Sequence, residues 1–393
     1  MWRWIWAVAM TRTSSASRQR TTIVLMAVAV FLLLAGRATA LDFSRIADAP
    51  SEVIQCMEGK LEPETMASVR NGKRPKDYST RKTIKKAYEK CLSATSGIRG
   101  VTPYDGPLFD AMSQIDETVD MNAAMARVRA AGVGKLALFA RSRKRLHQNE
   151  NAVLKLSKLN PDLIVLGSPK YFQLSGDVSR DYIRATVDGV RKYGYRFIGE
   201  LLYTHGDKGS GKQYPAGERY VDPSKPGTAR LLKEIAPLGV PFMTHWEPYA
   251  PERDFPRFHK LYSSWPDQVF LLPHMGFASS EQLETFMSRH PNLYLLTSKK
   301  ERLMSDFSDP EKVKAIGSAM LDGDILRSEW KKLLIKYQDR ILFATDPHMR
   351  KLWEKYGDVV DNQRLILGQL PREVAEKIAY RNAERLYGVS IGE

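Results

Sequence analysis

Eight short apolar runs alternate with helical patterns from Pro107 onward, and this alternation constrains the fold more than any other feature of the chain. The runs span Leu108–Ile115, Lys135–Ala140, Leu163–Gly167, Phe197–Tyr203, Pro241–His245, Val269–His274, Leu293–Thr297 and Ile341–Asp346. Short apolar runs separated by amphipathic helices are typical of parallel βαβ units. Eight such units in residues 105–393 predict an α/β fold of the (β/α)8 TIM-barrel type. A doubly wound parallel sheet is the main alternative.

The first 40 residues predict a secretory signal peptide. Ile23–Gly36 is an unbroken apolar stretch, preceded by Arg18 and Arg20 and followed by an Ala-Thr-Ala sequence that ends at Ala40. A positive flank, a short apolar run and a small-residue cleavage site are the three parts of such a signal. The run is shorter than the roughly 20 residues that a spanning helix needs, and an uncleaved anchor is the alternative. We therefore expect an exported protein, periplasmic or secreted, without a membrane span after cleavage.

Residues 41–104 predict a short helical extension in front of the barrel. The two cysteines of the chain, Cys56 and Cys91, both lie in this segment. Two cysteines are too few for a disulfide-dense scaffold or for a zinc site of four thiolates. In an oxidising compartment we expect them to form one disulfide, with two separate buried thiols as the alternative.

Polar side chains stand at or near the ends of four of the predicted strands. Glu200 lies in the fourth run, His245 ends the fifth, His274 ends the sixth and Asp346 ends the eighth. A TIM barrel places its active site at the C-terminal ends of its strands, so we expect these side chains to converge in one cavity. Imidazole and carboxylate groups are the ligands that a Zn²⁺-type ion prefers.

The same motifs carry a family resemblance over residues 107 to 388. The segments PFMTH, VFLLPHMG, ILFATDPH and EKIAYRNAERLYG resemble the metal-dependent amidohydrolase superfamily, and most closely its amidohydrolase-related branch. That branch includes decarboxylases, lactonases and C–N hydrolases. The resemblance implies that Glu200, His245 and His274 bind one divalent ion, Zn²⁺ or Mn²⁺, and that Asp346 acts as general base on water.

The first strand departs from the family pattern. The family's first strand ends in His-x-His, two metal ligands, whereas the matching stretch LFDAMSQID has Met112 and Gln114 at those positions. A thioether and an amide oxygen are poor ligands for such ions, so we expect no ion on the strand-one side. Sugar-phosphate deacetylases of the superfamily also lack the full pair and use the other half of the site. The alternative is a metal-free lactonase-type enzyme, or a degenerate barrel that only binds a small molecule.

Further candidates for contacts with substrate follow other strands. Arg141, Lys170 and Lys299 could bind an anionic group of a small-molecule substrate, with solvated loop charge as the default, and His205 could contact the substrate, with a plain loop histidine as the alternative. Gly206–Lys212 matches the core of a phosphate loop but lacks the following Ser or Thr, so we expect a loop over the barrel mouth instead. The net charge of +15 is spread along the chain without a basic block, and we expect no nucleic-acid partner. Substrate, oligomeric state, and hydrolysis against decarboxylation stay open.

Overall fold

The computed structural model describes Ile46, Ala49 and residues 51–73, 75–94, 101–142, 149–171, 177–205, 219–248, 250–298, 301 and 319–392. The chain divides into two compact units, one up to Thr95 and one from Ser96 onward. The signal peptide predicted for residues 1–40 lies outside the described residues. In the part of the chain that is described, no helix combines the length and the apolar character needed to cross a bilayer.

The described residues of the N-terminal unit are mostly helical. Its helices are α1 (Ser51–Glu58), α2 (Pro63–Arg70) and α3 (Tyr78–Ala94). Their apolar faces enclose a small core of its own, which includes Met57, Val69 and Ile84. The predicted disulfide is confirmed: Cys56 of α1 and Cys91 of α3 are bonded, with their Cα atoms 5.5 Å apart.

The second unit contains the eight predicted strands, and all eight predicted runs are confirmed. The strands in these runs are β1 (Leu108–Ile115), β2 (Val133–Ser142), β3 (Ile164–Leu166), β4 (Ile198–Leu202), β5 (Phe242–His245), β6 (Phe270–Leu272), β7 (Leu293–Leu296) and β8 (Ile341–Leu342). The described residues also form short strands at Lys170–Tyr171, Thr204–His205, Arg219–Tyr220, Leu321–Asp322 and Ile325–Leu326. Neighbours in this order pair in parallel from β1 to β3 and from β4 to β8. Parallel strands in chain order, each joined by a crossover, are the arrangement of a TIM barrel.

Backbone hydrogen bonds close the two arcs of strands into a ring. Between β3 and β4, Arg196 N–H donates to Leu166 C=O at 2.8 Å and Ser168 N–H donates to Phe197 C=O at 3.0 Å. Between β8 and β1, Ala111 N–H donates to the carbonyl of Phe343 at 2.9 Å. A doubly wound sheet would instead leave two free edges. The structure is therefore a (β/α)8 barrel.

Helices cover the outside of the ring and apolar side chains fill it. The helices of this unit are α4 (Met121–Ala130), α5 (Glu150–Leu159), α6 (Arg180–Tyr193), α7 (Pro226–Ile235), α8 (Pro251–Ser264), α9 (Ser280–Arg289), α10 (Ser328–Lys336), α11 (Arg350–Trp353), α12 (Tyr356–Gly368), α13 (Arg372–Glu376) and α14 (Asn382–Tyr387). A π-helical segment, Lys377–Arg381, joins the last two. This last helical stretch begins after Pro371 and ends at Tyr387, and the following Gly388 has a φ of 63°, which suits glycine.

The inside of the barrel has an apolar layer below a polar rim. The inner cluster includes Phe109, Met112, Phe139, Met243, Leu271 and Leu342. Tyr387 closes the layer from the last helix, with its hydroxyl donating to the carbonyl of Ala111 at 2.9 Å. A register shift in β1 between Asp110 and Ser113 precedes Gln114, which lies in the rim. Met112 therefore belongs to the core, and Gln114 belongs to the candidate site.

Candidate functional site

The structure brings together the four side chains that the sequence places at strand ends. Glu200 lies within β4, His245 ends β5, and His274 and Asp346 follow β6 and β8. All four are buried. His245 Nδ1 contacts Glu200 Oε1 directly, and His274 Nε2 lies 3.7 Å from Glu200 Oε1 and 3.6 Å from Asp346 Oδ2. The site is thus one cluster at the C-terminal rim, and the roles of its members stay predictions.

Each imidazole of the cluster is held at one ring nitrogen by an acceptor. His245 Nε2 lies 2.9 Å from Glu247 Oε1, and His274 Nδ1 lies 3.2 Å from the carbonyl oxygen of Ser298. Because a carbonyl or carboxylate oxygen accepts hydrogen, these two nitrogens carry N–H groups. The opposite nitrogens of both rings face Glu200 Oε1. A nitrogen lone pair cannot face a carboxylate without a cation between them, so this position requires either a proton or a metal ion.

The electrostatics of Glu200 and His245 agree with this requirement. Burial alone would raise the pKa of Glu200, but the charges of Lys170 and His245 outweigh it and hold that pKa well below its usual range. Burial alone would lower the pKa of His245, but the charge of Glu200 and the hydrogen bonds to Glu200 and Glu247 raise it. Without another cation, His245 is therefore held as an imidazolium between two carboxylates.

Two of the site residues have a left-handed backbone conformation, which residues other than glycine rarely adopt. His274 has a φ of 57° and Asp346 a φ of 50°. The left-handed conformation continues after His274 through Met275, Gly276 and Phe277, with φ of 50°, 60° and 52°. Such residues persist only where the surrounding structure holds them, and they cluster at functional sites.

Gln114 bridges the two carboxylates of the site. Its Nε2 donates to Glu200 Oε2 at 3.1 Å and to Asp346 Oδ1 at 2.5 Å. Since an amide oxygen would repel both carboxylates, the nitrogen is the atom that faces them. The other amide atom, Oε1, is buried and has no hydrogen-bond partner among the described residues. This acceptor is available to a donor group of a ligand.

Three of the four residues predicted to contact substrate are described by the structure, and they occupy different positions. Lys170 is buried, in a two-residue strand, and its Nζ contacts Glu200 Oε2. Arg141 is also buried, lies 3.3 Å from Asp116 Oδ2 and donates to the backbone carbonyl of His348. His205 is partly exposed and stacks on the His245 ring, with centroids 5.3 Å apart. Their contact with substrate stays a prediction, and His205 is the one that reaches the surface.

A second group of ligand atoms overlaps the first. His205, His245 and Glu247 also place one ligand atom each within 4.8 Å of one another, as do Glu200, His245 and His274. A neutral imidazole has one lone pair, so His245 can serve one of these groups as a neutral ligand. The hydrogen bond from Nε2 to Glu247 favours the group that contains Glu200 and His274.

Sequence reasoning missed Glu247 and Ser298 and did not assign a contact to Gln114. Glu247 follows His245 by two positions, and Ser298 comes directly after the seventh run, so strand-end position alone was the available signal. His348, with Nδ1 3.6 Å from Asp346 Oδ2, also lies beside the site. Gly206–Lys212 and Lys299 lie outside the described residues.

A family model and several solved structures are similar to parts of this chain. The amidohydrolase family model matches residues 190–389. No curated protein matches the chain. Similar solved structures include an uncharacterized TIM-barrel protein from Bordetella bronchiseptica, with 15% identity and a TM-score of 0.46 over 76% of this chain and 90% of that one.

Two further solved structures are similar at the same level. A 2,6-dihydroxybenzoate decarboxylase from Rhizobium has 15% identity and a TM-score of 0.42 over 72% of this chain and 98% of that one. A probable 2-pyrone-4,6-dicarboxylic acid hydrolase from Acinetobacter baumannii has 12% identity and a TM-score of 0.44 over 73% and 98%. Likenesses this distant do not indicate which reaction this chain catalyses.

Proposed function

Because this chain belongs to the amidohydrolase family, we propose that it is a hydrolase that cleaves a C–N or C–O bond of a small molecule with one divalent metal ion. One observation carries the proposal: the inward nitrogens of two oriented imidazoles and one oxygen of Glu200 face a common position. Two nitrogens and a carboxylate form a typical catalytic zinc set, which leaves a position for water.

The groups that hold the two imidazoles in place also fit such an ion. Glu200, His245 and His274 would hold it, with Glu247 and Ser298 fixing the two rings through their outer N–H groups. A bound divalent ion supplies Lewis-acid chemistry, since it lowers the pKa of water and polarises a scissile carbonyl group. The fit rests on donor types that Zn²⁺ and Mn²⁺ both accept.

In this proposal Asp346 would move the proton. Gln114 holds Oδ1, and Oδ2 lies 3.6 Å from both His274 Nε2 and His348 Nδ1. With one oxygen fixed by an amide, Oδ2 can take a proton from attacking water and pass it to the leaving group. The unpartnered Oε1 of Gln114 can accept an N–H or O–H group of the substrate.

A metal-free hydrolase, of the lactonase type, is the second candidate. Glu200 already accepts hydrogen bonds from Lys170, Gln114 and His245, so its charge is balanced without an ion. In that case the protonated imidazole of His245 would supply the positive charge beside Glu200 that the metal ion would otherwise supply.

We also propose export. The Cys56–Cys91 disulfide supports it, because structural disulfides persist in oxidising compartments. Mass spectrometry of protein recovered from outside the cytoplasm should show a chain that begins after Ala40. An intact N-terminus would contradict this proposal.

The central experiment is metal analysis of protein purified without chelator and incubated with Zn²⁺ or Mn²⁺, followed by turnover of a panel of esters, lactones, amides and aromatic carboxylic acids. The proposal expects about one ion per chain and hydrolysis that is lost on chelation and restored by the ion. Hydrolysis without any ion would favour the metal-free candidate. No ion and no turnover would favour a barrel that only binds a ligand, and loss of CO₂ would show a decarboxylase.

A further inference from the structure

The strand-one side of the site is filled by donors from the protein itself. Lys170 pairs through the backbone with Arg141 at the end of β2, and its side chain reaches Glu200 Oε2 from a position that is only 5% exposed. Gln114, near the end of β1, donates to the same oxygen and to Asp346. An ion on the strand-one side would need Glu200 and Asp346 as its carboxylate ligands. Lys170 and Gln114 already donate to those carboxylates.

The two oxygens of Glu200 are therefore used differently. Oε1 faces the two imidazoles, whereas Oε2 accepts from an ammonium and an amide N–H group. A charged lysine has three hydrogens and no lone pair, so it cannot bind an ion, and it repels one placed beside it. At about 4 Å this repulsion is large wherever water is excluded.

The charges of the site support the same division. Glu200 and Asp346 are two carboxylates within reach of one cluster, and Lys170 supplies a single positive charge next to Glu200. With Glu247 beside His245 counted as well, one divalent ion brings this group to a net charge of zero. A second ion would add two more charges in a buried space, at a high desolvation and repulsion cost.

We propose that Lys170 is a built-in cation that takes the place of a second metal ion, excludes metal from the strand-one side and holds Glu200 by Oε2 so that only Oε1 is offered to the imidazole side. This inference rests on the proposed function for the presence of the first ion. Lys170 acts through Glu200 and is a positioning residue. Met112 takes no part, because it lies in the apolar core.

Metal counting on variants of the full chain tests the inference. Lys170→Met removes the charge at similar length, and Gln114→His supplies an imidazole on β1. We expect about one zinc ion per chain in the wild type and in Gln114→His, and about two in the double variant Lys170→Met/Gln114→His. Zinc is measured by elemental analysis after dialysis, and circular dichroism checks folding. Lys170→Gln replaces Lys170→Met if the latter does not fold.

The matched control is Arg141→Met/Gln114→His. It removes a buried cation of the neighbouring strand whose ion pair is with Asp116, so its zinc count should equal that of Gln114→His. An unchanged count in the double variant with Lys170→Met would overturn the inference, and so would an increase with Gln114→His alone. If the wild type binds no zinc, the proposed function fails, yet the inference still requires that Lys170→Met/Gln114→His binds more zinc than Gln114→His.

Discussion

The two sides of Glu200 are built from opposite chemistry. The imidazole side consists of His245 and His274, which turn ring nitrogens toward Oε1 and place their N–H groups on outer acceptors. The strand-one side consists of Lys170 and Gln114, which turn N–H groups toward Oε2. One carboxylate thus separates a half of the site suited to a metal ion from a half in which the protein supplies the positive charge.

The largest expected effect is on the imidazole side. His245→Ala removes one of three proposed ligands and leaves two, too few for a stable zinc site, so bound zinc should fall to background. Elemental analysis gives the count. His259→Ala is the matched control, since His259 packs on Phe286 away from the site and should leave the count unchanged. Full retention of zinc in His245→Ala would assign the ion to other residues.

Asp346→Asn should separate metal binding from turnover. The amide keeps the shape of the side chain but cannot take a proton, so kcat should fall by about 10²–10⁴-fold. Zinc per chain should stay as in the wild type, because Asp346 is not among the proposed ligands. The measurement pairs steady-state kinetics with elemental analysis. If zinc is lost together with activity, Asp346 is a ligand and not only a base.

The carboxyl group of Asp110 lies beneath the strand-one side and joins two segments of the barrel there. It accepts hydrogen bonds from Ser113, Thr345 and Tyr356 and so ties β1 to the segment that carries Asp346. Burial raises its pKa to about 6, although these hydrogen bonds lower it. Between about pH 4 and 6 the folded chain therefore keeps a proton that the unfolded chain has released.

The free energy of unfolding should accordingly fall as the pH rises through this window. For a shift of this size the loss is about 3 kcal/mol. Denaturant titrations at several pH values, with wild type and Asp110→Asn side by side, measure it: the variant has no carboxyl group there, so this share of the pH dependence should be missing from it. Equal slopes in both proteins would show that Asp110 does not titrate in the window.

Glu247→Gln should produce the smallest effect. The amide can still lie beside His245, but it no longer fixes the N–H on Nε2 with a charge, so zinc affinity should fall by about 10–100-fold. Competition with a chelator of known affinity measures this. Ser298→Ala is a matched comparison. His274 Nδ1 contacts the backbone carbonyl of Ser298, and the variant keeps this carbonyl. Its affinity should change less than that of Glu247→Gln.

The barrel and the convergence of its strand-end residues could be predicted because both follow from period and topology. Parallel strands in one ring end at the same rim. Residues at strand ends, such as His245 and His274, therefore lie near one another regardless of the loop sequences. The contacts of Lys170 and Arg141 could not be predicted. Both follow strands and both are cations, yet one turns inward to Glu200 and the other pairs with Asp116. Which carboxylate each cation contacts depends on side-chain conformation and burial, and these cannot be read from the order of residues.

The left-handed turn after β6 has a consequence for engineering the protein. Met275 and Phe277 hold positive φ angles that cost of order 1–3 kcal/mol each in a residue with a side chain. Glycine at position 275 would relieve this cost, but it would also remove a fully buried methionine side chain from the core, which costs about 2–5 kcal/mol. The same change would loosen the backbone that orients His274. A screen for heat resistance would therefore keep methionine at position 275, because the packing of its side chain in the core offsets the backbone strain.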